Sequence, residues 1–158
     1  MMNPVSKILL VISTTRESPR TIQTAFDRAA QISGSLIALC VIDTELPSSI
    51  VDQLADRSFV GEKPGEEIFD EILKEYRQRA EKKLAEIEAM AQQKKIPIQT
   101  ILIQGDFVSE CLTTIQKEKP SLVLIGRKKQ SKLSQFIFRS PLRKIEKGST
   151  VPVEVVEE

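Results

Sequence analysis

Apolar residues fall along this chain in two alternating arrangements: short unbroken runs, and longer stretches in which they recur every three or four positions. The first run, Ile8-Leu-Leu-Val-Ile12, has no polar alternation. A strand of that kind is covered on both faces, as in a parallel sheet clothed by helices. Ser18-Pro19 then supplies a hydroxyl N-cap followed by proline at the first helical position. Ile22, Ala25, Phe26, Ala29 and Ala30 follow at helical spacing until Gly34. A second apolar run over Ser35 to Ile42 ends at Asp43, so the opening unit reads as strand, helix, strand with the short connections of a parallel crossover.

Periodicity is lost between Asp43 and Gly65. Pro47, Ser48 and Ser49 can start a short helix carrying Ile50, Val51 and Leu54, while Gly61, Pro64 and Gly65 mark an irregular connection. From about Glu66 to Lys94 the spacing of Phe69, Leu73, Tyr76, Ala80, Leu84, Ile87 and Ala91 predicts one long helix. Its other positions are dense in Glu, Lys and Arg, with Asp70/Lys74 and Glu75/Arg79 one turn apart, and read as a solvated face.

Ile96 to Ile103 predicts a third strand, and Gly105-Asp106 a turn whose aspartate can cap a helix bearing Phe107, Val108, Cys111, Leu112 and Ile115. Lys119-Pro120 ends that helix. Ser121-Leu-Val-Leu-Ile125 is a fourth strand terminating in Gly126. Ser140-Pro141 repeats the helix-start signature ahead of Leu142 and Ile145. Val151 to Val156 closes the sequence as a last strand, which Pro152 places at an edge or beside its own start. Strands alternating with helices throughout predict one open α/β sheet over residues 1–158, with any ligand at the C-terminal ends of the strands near a topological switch.

Composition narrows the chemistry. The 158 residues suit a single domain, 41% hydrophobic and 28% charged, and include no histidine. Ser-His-Asp and Cys-His nucleophile systems and His-ligated zinc are thereby excluded. The six glycines fit neither GxGxxG nor GxxxxGK[ST], there is no GxSxG elbow, and no carboxylates stand at metal-ligand spacing, so an enzyme is not expected. Cys40 and Cys111 lie apart inside apolar stretches and read as buried thiols of a reducing compartment. The apolar run near the N-terminus is too short for a signal segment or a membrane span, so a cytoplasmic protein is expected.

Five pieces in order resemble the universal stress protein family: Lys7-Ile-Leu-Leu-Val-Ile, Val41-Ile42-Asp43, Gly105-Asp106 before a helix, Ser121 to Gly126, and Val151-Pro-Val-Glu-Val. The resemblance covers essentially the whole chain. It implies a five-stranded parallel sheet with helices on both faces, Rossmann-like and of the adenine nucleotide alpha hydrolase type. It also implies a homodimer paired through the last strand, here Val151, Val153 and Val155, and binding of ATP or AMP in many members. The family's signature places an aspartate at the end of the first strand and G-x2-G-x9-G-[ST] after the fourth. Glycines there let backbone N–H groups reach phosphate oxygens, with a hydroxyl at a helix start beside them.

Matched position by position, the aspartate is Ser13, followed by Thr14. Gly126 is kept and followed by Arg127, the next two glycines are Lys129 and Arg139, and the hydroxyl survives as Ser140. Val41 matches the position that lies against adenine. A side chain where the backbone must be left-handed costs roughly 1–2 kcal/mol. The expectation is therefore a regulatory dimer that lacks ordinary ATP binding and works through protein contact.

The net charge of +1 hides a separation. Between Gly126 and Lys147 eight basic residues stand against the single acid Glu146, so this segment carries +7 and the rest of the chain −6. It reads as a solvated basic loop, or as an anion site for an acidic protein partner or a phosphorylated small molecule, ATP and AMP included. Nucleic acid fits less well, because only Phe136 and Phe138 could stack on bases, and their apolar setting suits a core anchor or a partner contact.

Overall fold

The computed structural model describes residues 6–14, 17–44, 64–127 and 141–158. Five parallel strands form one sheet: β1 (Lys7–Ser13), β2 (Ser35–Asp43), β3 (Ile98–Gly105), β4 (Leu122–Arg127) and β5 (Val153–Glu157), in the order β3-β2-β1-β4-β5. Four helices connect them: α1 (Pro19–Gln31), α2 (Pro64–Lys94), α3 (Phe107–Glu118) and α4 (Pro141–Gly148). The short helix expected around Ile50 and the Phe136 to Phe138 stretch lie outside the described residues.

The unbroken apolar runs are buried on both faces, as expected of parallel strands under helices. Ile8, Leu10 and Ile12 of β1 point with Ala38, Cys40 and Ile42 of β2 into a core closed by α1 and α2. Leu9 and Val11 alternate with them, joining Leu39, Val41, Val123 and Ile125 under α3 and α4. Phe26 of α1 and Ile87 of α2 are 1% and 2% exposed, which identifies the inward stripes that the helical spacing predicts. At ~25 cal/mol per Å² of apolar surface, each such side chain contributes roughly 1.5–3 kcal/mol to folding. Cys40 and Cys111 are buried, and burial pushes their thiols up to about 11 and about 12, the first offset in part by the Lys83 charge.

Several boundaries move for local reasons. α1 does not end on Gly34: Ser33 takes the left-handed turn at φ 50°, and the Gly34 N–H reaches back to the Ala29 carbonyl at 2.9 Å. Gly34 serves a different need, since a Cβ there would meet the Ser6 carbonyl oxygen at 2.5 Å. β3 starts at Ile98 rather than Ile96, because the Ile96 N–H closes α2 on the Ala91 carbonyl after a left-handed Lys95. β4 runs through Gly126 to Arg127, so Gly126 lies inside the strand, opposite Val156 of β5. β5 is an edge strand and begins just after Pro152, whose carbonyl still accepts the Val123 N–H at 2.9 Å.

The two predicted helix caps part company. Asp106 caps α3, its carboxylate accepting the Ser109 N–H at 2.9 Å, and that backbone bond leads the causes holding its pKa below the usual range. Ser18 makes no cap bond to α1, and its backbone sits at φ −136°, ψ 57°. Asp106→Ala should lower stability by about 1 kcal/mol in urea titration while Asp106→Asn stays within a few tenths, since asparagine caps equally well; equal losses from both would mean the carboxylate acts otherwise.

Candidate functional site

The sheet parts where its strand order reverses. β1 pairs with β4 only as far as Val11–Ile125, yet β1 continues beside β2 to Ser13–Val41 and β4 beside β5 to Arg127–Glu157. The two central strands therefore follow their outer neighbours away from each other, and the C-terminal ends open into the crevice where ligands of such sheets bind. Ser13 and Thr14 stand on one lip, half-buried, and Gly126 and Arg127 on the other. Lys129, Arg139 and Ser140 lie outside the described residues.

Val41 does not line an open space through its side chain. It is 2% exposed and packs in the α3/α4 core. Arg127 is exposed and pairs with Glu157 across the β4/β5 ladder at 2.7 Å, so its guanidinium already holds a carboxylate.

Gly126 faces the first turn of α1. A Cβ built on it would meet the Thr21 hydroxyl at 2.6 Å and the Ser18 hydroxyl at 3.2 Å. This close approach of α1 to β4 by itself accounts for a glycine at the position. The same point lies 3.5 Å from Oε2 of Glu158.

Glu158 is the residue that the sequence pattern does not announce. Its carboxylate accepts the Arg20 N–H at 3.0 Å, the Thr21 N–H at 2.7 Å and the Thr21 hydroxyl, and so caps α1 in place of Ser18. A charged acceptor at a helix N-terminus is stronger than a hydroxyl, because donors and dipole both favour the anion. Burial alone would raise the Glu158 carboxyl, but the Thr21 and Arg20 hydrogen bonds and the Arg20 charge outweigh it and hold the pKa below the usual range. The residue is tied in place by its own N–H, which donates to the Arg127 carbonyl at 2.9 Å.

Lys83 departs from the expected solvated face of α2. Its side chain is 12% exposed, and its ammonium donates to the Ser13 carbonyl at 3.3 Å and lies 3.5 Å from the Glu17 carboxylate. The end of β1, where the family signature has an acid, is thus a serine whose carbonyl carries a cation. Glu75–Arg79, on the outer side of the same helix, forms as predicted at 2.6 Å. Among the described residues no three His, Cys, Asp or Glu side chains gather as a metal site, and no helix is long and apolar enough to cross a membrane.

The model of the universal stress protein family matches residues 4–157. The chain belongs to that family. The universal stress fold is also what the solved structures share with it. Universal stress protein UspA from Lactobacillus plantarum is 14% identical, with 98% of this chain and 99% of that one covered at a TM-score of 0.71. A universal stress protein from Archaeoglobus fulgidus in complex with dAMP is 11% identical, covering 98% and 99%, at 0.61. Another universal stress protein, in complex with cAMP, is 15% identical and covers 98% of both chains at 0.59. At these identities the likeness speaks for the fold alone. No curated protein matches the chain.

Gly126→Ala should destabilise this universal stress domain by about 1–3 kcal/mol, as overpacking against the buried Thr21 demands. An unchanged urea midpoint would show that the first turn of α1 gives way freely.

Proposed function

We propose that this universal stress protein is a regulatory binding protein whose crevice does not hold ATP by the usual backbone grip, and which acts through protein contact as a homodimer. The observation that carries this reading is the Glu158 carboxylate lying on α1 beside Gly126. A phosphate reaching for the one retained glycine meets an ionised carboxylate, and Ser13, Lys129 and Arg139 stand where the signature has an acid and two glycines. Loss of about 1.4 kcal/mol at each of three contacts corresponds to about a thousandfold in affinity. Calorimetry with ATP, with and without magnesium, on nucleotide-free protein should show no micromolar binding; micromolar binding would overturn the reading.

A second reading has one observation in its favour. Structures of this fold are known with cAMP and with dAMP, and the sequence from Gly126 to Lys147 concentrates positive charge directly after β4. On that reading AMP or another phosphorylated small molecule is held by point charges rather than backbone amides. AMP and cAMP in the same titrations decide it, with Lys129→Ala and Arg139→Ala expected to weaken whatever binds.

For the homodimer the edge strand β5 is the surface in question. Val151 and Val153 pack against the α3/α4 core, whereas Val155 is half-buried and belongs to neither core. A charge at Val155 therefore tests the interface with less damage to the fold than one at Val153. Val155→Lys should sediment as a monomer, and a persistent dimer would exclude β5 pairing.

A further inference from the structure

The crevice is negatively guarded on one side by the chain itself. Glu158 lies after β5, far from α1 in sequence, yet its two carboxylate oxygens take the Arg20 and Thr21 N–H groups and the Thr21 hydroxyl. The backbone donors that a helix N-terminus would offer an external anion are thereby used up. The carboxylate also lies against Gly126, on the lip of β4 that borders the opened crevice. It is not a swinging surface group, because its own N–H is bound to the Arg127 carbonyl and the preceding Glu157 is paired with Arg127. Earlier on the same strand, Glu154 holds Arg28 of α1 at 3.0 Å. Three acids of one short segment thus fasten β5 to α1 and β4.

We propose that Glu158 is an autoinhibitory contact: a built-in carboxylate that occupies the α1 side of the crevice and sets its selectivity against phosphate-bearing ligands. The inference deepens the first reading of function and rests on the crevice being the ligand site. A unit charge fixed a few ångströms from an incoming phosphate in a partly buried setting disfavours it electrostatically. A neutral ligand of the same shape feels no such term. The side chain is therefore a specificity-determining group, and its removal changes which charge the crevice accepts.

Glu158→Gln removes the charge while leaving a carbonyl oxygen to accept from the Thr21 N–H. Glu158→Asp keeps the charge on a shorter arm. Wild type and both variants are titrated with AMP, ATP and uncharged adenosine at low salt, with amide exchange of Arg20 and Thr21 read alongside to confirm that α1 remains formed. Glu158→Gln should bind AMP and ATP about tenfold or more tightly than wild type, adenosine affinity should not change, and Glu158→Asp should stay near wild type. Equal AMP affinity in wild type and Glu158→Gln, absence of AMP binding by either, or an equal gain for adenosine overturns the proposal. Should α1 loosen in Glu158→Gln, Glu158→Asn set against Glu158→Asp repeats the charge comparison on a shorter arm that keeps an acceptor, under the same criteria. Micromolar ATP binding by the wild type would defeat the first reading of function without touching this comparison, since only the difference between variants reports on Glu158.

Discussion

The structure turns on the separation of β1 from β4 after Val11 and Ile125. A parallel sheet that reverses strand order at its centre has helices leaving on opposite faces from these two strands, and the gap between their ends is the crevice in which ligands of such sheets bind. Backbone groups exposed there must find partners other than a ladder, because an unpaired buried peptide group is costly. The ammonium of Lys83 on the Ser13 carbonyl fills that role at the end of β1, while the Glu158 N–H on the Arg127 carbonyl carries the β4/β5 ladder one rung further. The crevice is thus a consequence of topology, and the polar residues gathered around it are first of all those that satisfy its open strand ends.

That origin changes how the site residues are weighed. Gly126 looks like part of a phosphate cradle in the linear signature, but the close approach of the Thr21 hydroxyl is a second reason for a residue without a Cβ there. Arg127 adds to the basic segment in sequence, yet in space it is answered by Glu157. The acids of β5 thus answer one cation of the basic segment, Arg127, and the cation and donors that face them from α1. At the partly exposed pairs this adds little to stability, about 1 kcal/mol or less each.

Membership of the universal stress family and the α/β architecture were both legible in the sequence, as was the Asp106 cap. Each depends on neighbours within a few positions: an unbroken apolar run needs burial on both faces, a helical stripe needs one covered side, and an aspartate three residues before a free N–H can reach it. The Ser18-Pro19 signature was equally legible and yet only half right, since Pro19 does begin α1 while the hydroxyl does not cap it. Local rules rank acceptors that are close in the chain, and a carboxylate arriving from elsewhere is outside their reach.

Sequence by itself determined the order of the elements, the two apolar faces of the central strands and the concentration of basic residues after β4, because each is a matter of spacing or count. Tertiary structure alone decided that Glu158 would cap α1 across 137 positions, that Lys83 would leave the solvated face of α2 for the end of β1, and that Gly126 would stand against the Thr21 hydroxyl. Those contacts arise where strand ends, a helix start and an edge strand converge. No periodicity along the chain records that convergence; it exists only once β1 and β4 lie side by side and then part.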